Sequence, residues 1–232
     1  MFKLAFVNEY ITKDVAAMVP NLKAEKCTAR ETIHRALEQW EQNSFIGKLI
    51  GNHYFIFICL MLYTGMRQGE VAGLKADDID ENYIYVRRTT VLDEHNKVIL
   101  GNTTKTYDST RKIPINDKIR GVLDQVQMPT GGSTVFKAPR GGLVQNACVN
   151  RAIRDTLKKL KEEDGVEIEH FTSHALRDTF AANWVRAHKD EGGALKTLKV
   201  ILGHAKLAIT ADLYVHVLDD TKIAGMKKMD KV

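Results

Sequence analysis

The chain has 232 residues, of which 44% are apolar and 27% are charged, and 34 Lys and Arg against 29 Asp and Glu give a net charge of +5. This length accommodates one sizeable domain or two small ones, and the composition is that of a soluble globular protein and not of a disordered chain. The modest basic surplus permits nucleic-acid binding without requiring it.

Three isolated cysteines, Cys27, Cys59 and Cys148, indicate neither a disulfide framework nor a zinc site. Residues 1–10 lack the long apolar stretch and the cleavage site of a secretory signal. A reducing, cytoplasmic location is therefore expected.

Helical patterns come first in the chain. Thr28–Glu31 has capping-box spacing, and apolar residues at positions 33, 37 and 40 follow at helical intervals, which predicts a helix over roughly 29–42. The longest apolar run, Tyr54–Tyr63, is too short to span a bilayer, so it predicts a buried helix that Gly65 ends. A short helix is expected from Arg67 to about Lys75.

A small β region follows. Tyr83–Val86 is rich in strand formers and favours a hairpin, with further strands near Val98–Leu100 and Arg111–Ile115. Gly101-Asn102 and Tyr107-Asp108-Ser109 provide turn signals between these strands, which places Lys105 on or next to a hairpin loop. The remaining helices are predicted near 117–127, 145–163, 174–188, 194–202 and 206–216. The fold class is therefore α+β, mainly helical.

The start of the helix at 174–188 carries two residues suited to an anion. His174 and Arg177 are three apart behind Ser173, a good N-cap, so both side chains are expected on one side of the first turn. The free amides of a helix N-terminus also favour an anion. Arg67 is the candidate for a second guanidinium on the same phosphate. Glu70, three residues further along the chain, can pair with Arg67 or orient it.

Three more residues complete the set of candidates. Lys105 can donate a proton to a leaving oxygen, His204 follows Gly203, and the phenol of Tyr214 becomes a nucleophile only where cations or a base help to remove its proton. Taken singly, each residue also has an ordinary structural explanation: a solvated lysine, a helix end and a core aromatic side chain. Further basic residues in predicted loops and helix starts are suited to phosphate contacts, namely Arg111, Lys112, Arg140, Arg151 and Arg154.

Taken together, five short sequence motifs of this chain resemble those of the tyrosine recombinase, or phage-integrase, family. They are Tyr63-Thr-Gly-Met-Arg67-Gln-Gly-Glu70, Thr104-Lys105-Thr106 with Ser109 and Arg111, His174-Ala-Leu-Arg177, Leu202-Gly-His204, and Tyr214 with Val215-His216-Val217. The likeness extends from about Thr28 to Leu218 and is nearest to integrases of phages and conjugative transposons. It implies a tyrosine-recombinase-like catalytic domain with a small antiparallel sheet at one edge.

The resemblance also implies roles. Arg67 and Arg177 would grip the scissile phosphate, His174 and His204 would supply hydrogen bonds and proton transfer, and Lys105 would protonate the departing 5′ oxygen. Tyr214 would be the nucleophile, leaving a 3′-phosphotyrosyl link without metal, ATP or another cofactor. The implied partners are double-stranded DNA, other protomers in a tetrameric synapse and accessory DNA-bending proteins, with no membrane.

The pattern departs from the family in two ways. The gap of ten residues from His204 to Tyr214 is one longer than in many members, and little chain precedes the first helix, where members usually carry a core-binding domain. The expected organisation is a linker or extension over 1–27, a catalytic domain over 28–218, and a tail over 219–232 that is either frayed or docks on a neighbouring molecule. We therefore expect a catalytic fragment of a longer integrase.

Two other functions remain open at this point. A related enzyme of the type IB topoisomerase kind would use the same residues to relax supercoils as a monomer. A non-catalytic helical DNA-binding module would carry them without chemistry.

Overall fold

The computed structural model describes residues 35–102, 111–188, 191 and 193–203. All of them belong to one compact unit that begins at His34. The elements in chain order are α1 (Gln39–Leu49), α2 (Phe55–Thr64), α3 (Gln68–Ala72), a 3-10 turn (Ala76–Asp78), β1 (Tyr83–Val86), β2 (Arg88–Leu92), β3 (Val98–Asn102), β4 (Arg111–Pro114), α4 (Asp117–Leu123), α5 (Asn146–Asp164), α6 (Ser173–Ala187) and α7 (Ala194–Leu202).

Helix α2 forms the centre of the core. Its sequence is apolar on all sides, as expected for a helix enclosed by other elements. It packs against α1, α4 and α6, and Gly65 ends it in the left-handed conformation with φ of 66°. The predicted buried helix and its glycine stop are confirmed. In the described part of the chain, no helix is both long and apolar enough to cross a membrane.

In the described residues, the β region has two two-stranded antiparallel sheets. Strand β1 pairs with β4, with Ile84 opposite Ile113, and β2 pairs with β3 as a hairpin. The prediction of a small antiparallel sheet is confirmed, but the turn assigned to Gly101-Asn102 is wrong because both residues lie inside β3 and pair with β2. The hairpin turns at residues 93–97 instead, where Asn96 has a positive φ of 58°.

Part of the first predicted helix, over roughly 29–42, is not helical. Residues 35–38 are not helical, because the Leu37 N–H donates to the Thr179 hydroxyl of α6 at 2.9 Å and the Glu38 N–H donates to the Glu41 carboxylate at 2.8 Å. Glu38 and Glu41 therefore provide the amino-terminal cap of α1. The proposed cap at Thr28–Glu31 lies outside the described residues.

The later helices lie close to their predicted positions. Helices α4, α5, α6 and α7 begin within one residue of the predicted starts. The predicted helix at 206–216 lies outside the described residues. Helix α6 packs on α2 and α5, and α7 packs on α6 and β4, which brings α7 close to the loop that follows α2.

Candidate active site

Arg67 and Glu70 form a local pair at the start of α3. The Arg67 backbone N–H donates to Glu70 Oε2 at 2.8 Å, and its Nη1 donates to Oε1 at 3.1 Å. The Arg67 side chain remains 48% exposed, whereas Glu70 is 4% exposed. The predicted pairing is confirmed, and it fixes the base of Arg67 while its guanidinium faces solvent.

Arg111 is the second guanidinium on Glu70. Its Nη1 and Nη2 donate to the two carboxylate oxygens at 2.9 and 2.6 Å, and its Nε donates to the Ile201 carbonyl at 2.6 Å. The side chain is only 6% exposed. These donors are directed to acceptors inside the protein, two of them to a carboxylate, so the phosphate contact expected of Arg111 stays a prediction.

Arg177 lies beneath these residues on α6. It is 2% exposed and donates through Nη1 to the Gly65 carbonyl at 2.5 Å and through Nη2 to the Leu202 carbonyl at 2.6 Å. A guanidinium has five N–H groups, and these two bonds use one on each terminal nitrogen. Arg177 thus connects the end of α2 to the end of α7.

The pKa values of this cluster show how it is balanced. Burial, followed by the charge of Arg67, lowers the pKa of Arg177 to about 9, while Glu70 acts in the opposite direction. Burial alone would raise the pKa of Glu70, but hydrogen bonds and charge from Arg111, the Arg67 N–H and the charge of Arg177 leave it below its usual range. Glu70 is therefore a carboxylate, not a carboxylic acid, at neutral pH.

Positive charge exceeds negative charge in this cluster. Among the described residues, the guanidiniums of Arg67, Arg111 and Arg177 act together with two carboxylates, Glu70 and Asp178. A buried group of cations that is not fully balanced by acidic side chains is suited to an added anion. The described residues contain no group of three or more His, Cys, Asp or Glu side chains that could hold a metal ion.

His174 lies on the first turn of α6 and is exposed, one helical turn before the buried Arg177. The predicted cap is shifted by one residue: Thr172 occupies the N-cap position without a side-chain cap bond. The Ser173 hydroxyl instead donates to Asn146 Oδ1 at 3.2 Å, which joins α6 to the first turn of α5.

Of the predicted site residues, the structure brings together Arg67, Glu70 and Arg177. Lys105, His204 and Tyr214 lie outside the described residues. The other basic residues expected to face phosphates, which are Lys112, Arg140, Arg151 and Arg154, are exposed.

The sequence of this chain is similar to those of known proteins. Residues 30–221 match the phage integrase family, so the chain belongs to that family. A tyrosine recombinase XerC-like protein of Caldanaerobacter subterraneus subsp. tengcongensis is 27% identical over 226 residues, which cover 88% of this chain and 56% of the relative. The transposase of transposon Tn916 from Enterococcus faecalis is 27% identical over 185 residues, covering 75% of this chain and 45% of the relative. The chain thus spans about half the length of these relatives.

Solved structures share the fold. The Tn1549 transposon integrase in complex with transposon right-end DNA has a TM-score of 0.71 at 22% identity, over 85% of this chain and 66% of that protein. XerA recombinase has a TM-score of 0.61 at 25% identity, over 85% of this chain and 64% of that protein. The mainly helical catalytic-domain fold predicted from the sequence is therefore confirmed.

Proposed function

We propose that this chain cleaves and rejoins DNA strands as a tyrosine site-specific recombinase, without metal or ATP. The observation that carries the proposal is the arginine cluster, in which the exposed Arg67 is held by the buried Glu70 above Arg177. Two non-bridging oxygens of a phosphodiester match the planar fork of a guanidinium.

The proposed reaction has two balanced steps. The Tyr214 phenolate attacks phosphorus, the bond to the 5′ oxygen breaks, and Lys105 gives that oxygen its proton, leaving a 3′-phosphotyrosyl link and a free 5′-hydroxyl. A 5′-hydroxyl from another strand then attacks the same phosphorus, gives its proton to Lys105 and releases Tyr214 as the phenolate. Because the bond energy stays in the covalent intermediate, no nucleotide hydrolysis is needed.

The remaining residues act on the same phosphate. Arg67 and Arg177 bind its non-bridging oxygens, and His174 and His204 donate hydrogen bonds and transfer protons. These preorganised donors stabilise the negative charge that grows in the transition state. The exposed position of His174 on the first turn of α6, one turn from Arg177, supports this role.

Membership of the phage integrase family supports double-stranded DNA, further protomers on that DNA and accessory DNA-bending proteins as partners, in the bacterial cytoplasm. The family match over 30–221 also supports a catalytic domain close to residues 28–218. The relatives named above are recombinases, a transposase and an integrase, so relaxation of supercoils by a monomer is not favoured.

The test uses covalent trapping. The 232-residue protein is incubated with nicked duplexes randomised around the nick, since loss of the short fragment beyond the nick traps the adduct. Wild type is expected to form an adduct that survives denaturation, with the phosphate on Tyr214 in the tryptic peptide. Tyr214→Phe is expected to form none while binding the same duplexes equally well.

Two results would overturn the proposal. One is the absence of any adduct with wild type although the protein binds the duplexes, which would favour a non-catalytic DNA-binding module. The other is an adduct that persists in Tyr214→Phe, which would place the nucleophile elsewhere.

A further inference from the structure

We propose that Arg111 is a positioning residue of this active site, whose buried guanidinium fixes Arg67 through Glu70 and joins the start of β4 to the end of α7. The inference rests on the proposed function, because it assigns Arg111 a part in the same reaction. Arg111 itself does not touch the reacting phosphate.

The first connection passes through Glu70. Arg111 takes both carboxylate oxygens in a two-pronged contact, and the same carboxylate receives the backbone N–H and guanidinium of Arg67. A two-pronged arginine–carboxylate contact fixes direction as well as distance. The orientation of Arg67 therefore depends on Arg111 through one shared carboxylate.

The second connection reaches the end of α7. Arg111 Nε donates to the Ile201 carbonyl, which belongs to the last turn of the helix. A Cβ on Gly203 would lie 3.1 Å from the Arg111 side chain, so the backbone and the guanidinium are in close contact there. His204 is the next residue in the chain.

The third connection is the chain itself. Arg111 is the first residue of β4 and follows Lys105 by six positions. The start of β4 is thus joined to Glu70 and to Ile201 by one side chain.

The distribution of its donors argues for a positioning role and not for direct contact with DNA. Both terminal nitrogens of Arg111 are paired with the Glu70 carboxylate and its Nε donates to the Ile201 carbonyl, whereas the bonds of Arg177 given above are to two neutral carbonyls. The contacts of Arg111 span 41 residues to Glu70 and 90 residues to Ile201. Such a residue affects the reaction through the placement of others.

The test compares Arg111→Met with Arg88→Met. Arg88 is a matched control, because it also lies on a strand and pairs with a buried carboxylate, that of Asp78. With a single nicked duplex recovered from the randomised pool, Arg111→Met is expected to form the adduct about 100-fold more slowly than wild type, since small misplacements of reacting groups have effects of this size. Its DNA affinity should remain within about threefold, because uniform binding is separable from transition-state stabilisation.

The pH dependence provides a readout that a purely structural role would not change. Glu70 faces Arg67, Arg111 and Arg177, and Arg111 is the largest of the causes that lower its pKa, so we expect removal of Arg111 to raise the pKa of the carboxyl group. A raised pKa means that Glu70 becomes protonated as the pH falls. The rate of Arg111→Met relative to wild type should therefore be lower at pH 6 than at pH 8.5, and Arg111→Lys, which keeps the charge, should restore part of the rate and reduce this pH effect.

The outcomes separate this inference from the proposed function. If wild type forms no adduct, the proposed function fails first. If wild type forms it and Arg111→Met reacts at the wild-type rate, or if Arg88→Met is slowed equally, the positioning role is refuted while the recombinase function stands. If Arg111→Met and Arg111→Lys both fail to fold by urea titration, Arg111 is a structural residue and the inference is likewise overturned.

Discussion

Replacing Gly65 by alanine tests the contact between the end of α2 and the two helices of the site. Gly65 has φ of 66°, and a Cβ built there lies 2.5 Å from Phe180 Cδ1 and 2.7 Å from Leu202 Cδ2. Non-bonded carbons are normally about 3.5–4.0 Å apart, so the methyl group cannot enter without a shift of the Phe180 and Leu202 side chains or of the backbone that carries them. Gly65→Ala is therefore expected to destabilise the protein through two separate effects.

A matched control variant separates the two contributions to this loss of stability. Gly165 ends α5 in the same way, with φ of 67°, but a Cβ there meets nothing within 4 Å. Gly165→Ala should cost only the left-handed strain, about 1–2 kcal/mol. Gly65→Ala should cost a further 1–3 kcal/mol, roughly, for overpacking. The entropy lost by the unfolded chain on Gly→Ala replacement is similar at both positions and cancels in the difference.

Urea denaturation of the two variants measures this difference directly. Because the Gly65 carbonyl accepts a hydrogen bond from Arg177 Nη1, the backbone shift in Gly65→Ala should also slow adduct formation, whereas Gly165→Ala should leave the rate unchanged. Equal losses of stability in the two variants would show that the close approach to Phe180 and Leu202 does not exist, and the placement of α7 against α2 would be wrong.

Three further predictions follow from buried groups. Thr179→Val leaves the Leu37 N–H without an acceptor and should lower the free energy of unfolding by about 1–3 kcal/mol in urea titrations; unchanged stability would contradict that bond. The Glu70 carboxylate has a pKa below its usual 4.5, so its contribution to the free energy of unfolding is complete at neutral pH and is lost as the pH falls through the folded pKa. The difference in unfolding free energy between wild type and Glu70→Gln should therefore narrow from pH 7 to pH 3. A constant difference would refute the lowered pKa of Glu70. Burial raises the pKa of Cys59 to about 12, so iodoacetamide at pH 8 should label it only in the unfolded protein, as read by peptide mapping; comparable labelling of the native protein would count against its burial.

Local signals in the sequence predict the parts of the site that depend on neighbouring residues. The Arg67–Glu70 pair is three residues apart, and Gly65 directly follows an apolar helical run, so both follow from helix geometry. The same reasoning locates α5, α6 and α7. Family resemblance then assigns chemistry to residues that local patterns leave ambiguous.

Long-range contacts account for what the sequence did not predict. The contacts of Arg111 are to acceptors 41 and 90 residues away, and local sequence patterns do not predict contacts at such separations. Residues 35–38 are non-helical because a hydroxyl 142 residues from Leu37 takes its N–H. Gly101 reads as a turn residue, yet its pairing with Thr89 places it within a strand. In each case a tertiary partner overrides a local preference.

The arginine cluster also has a consequence for the protein in the absence of DNA. Because the pKa of Arg177 falls on folding, its charged form is less stable in the folded protein than in the unfolded chain. At any pH at which Arg177 is charged in both states, it therefore lowers the free energy of unfolding. Binding of a phosphodiester would remove part of that destabilisation and stabilise the folded chain beyond its direct contacts. The apolar packing around α2 therefore holds together guanidiniums that repel one another, and under the proposed function this loss of folding stability accompanies a site that favours an anion.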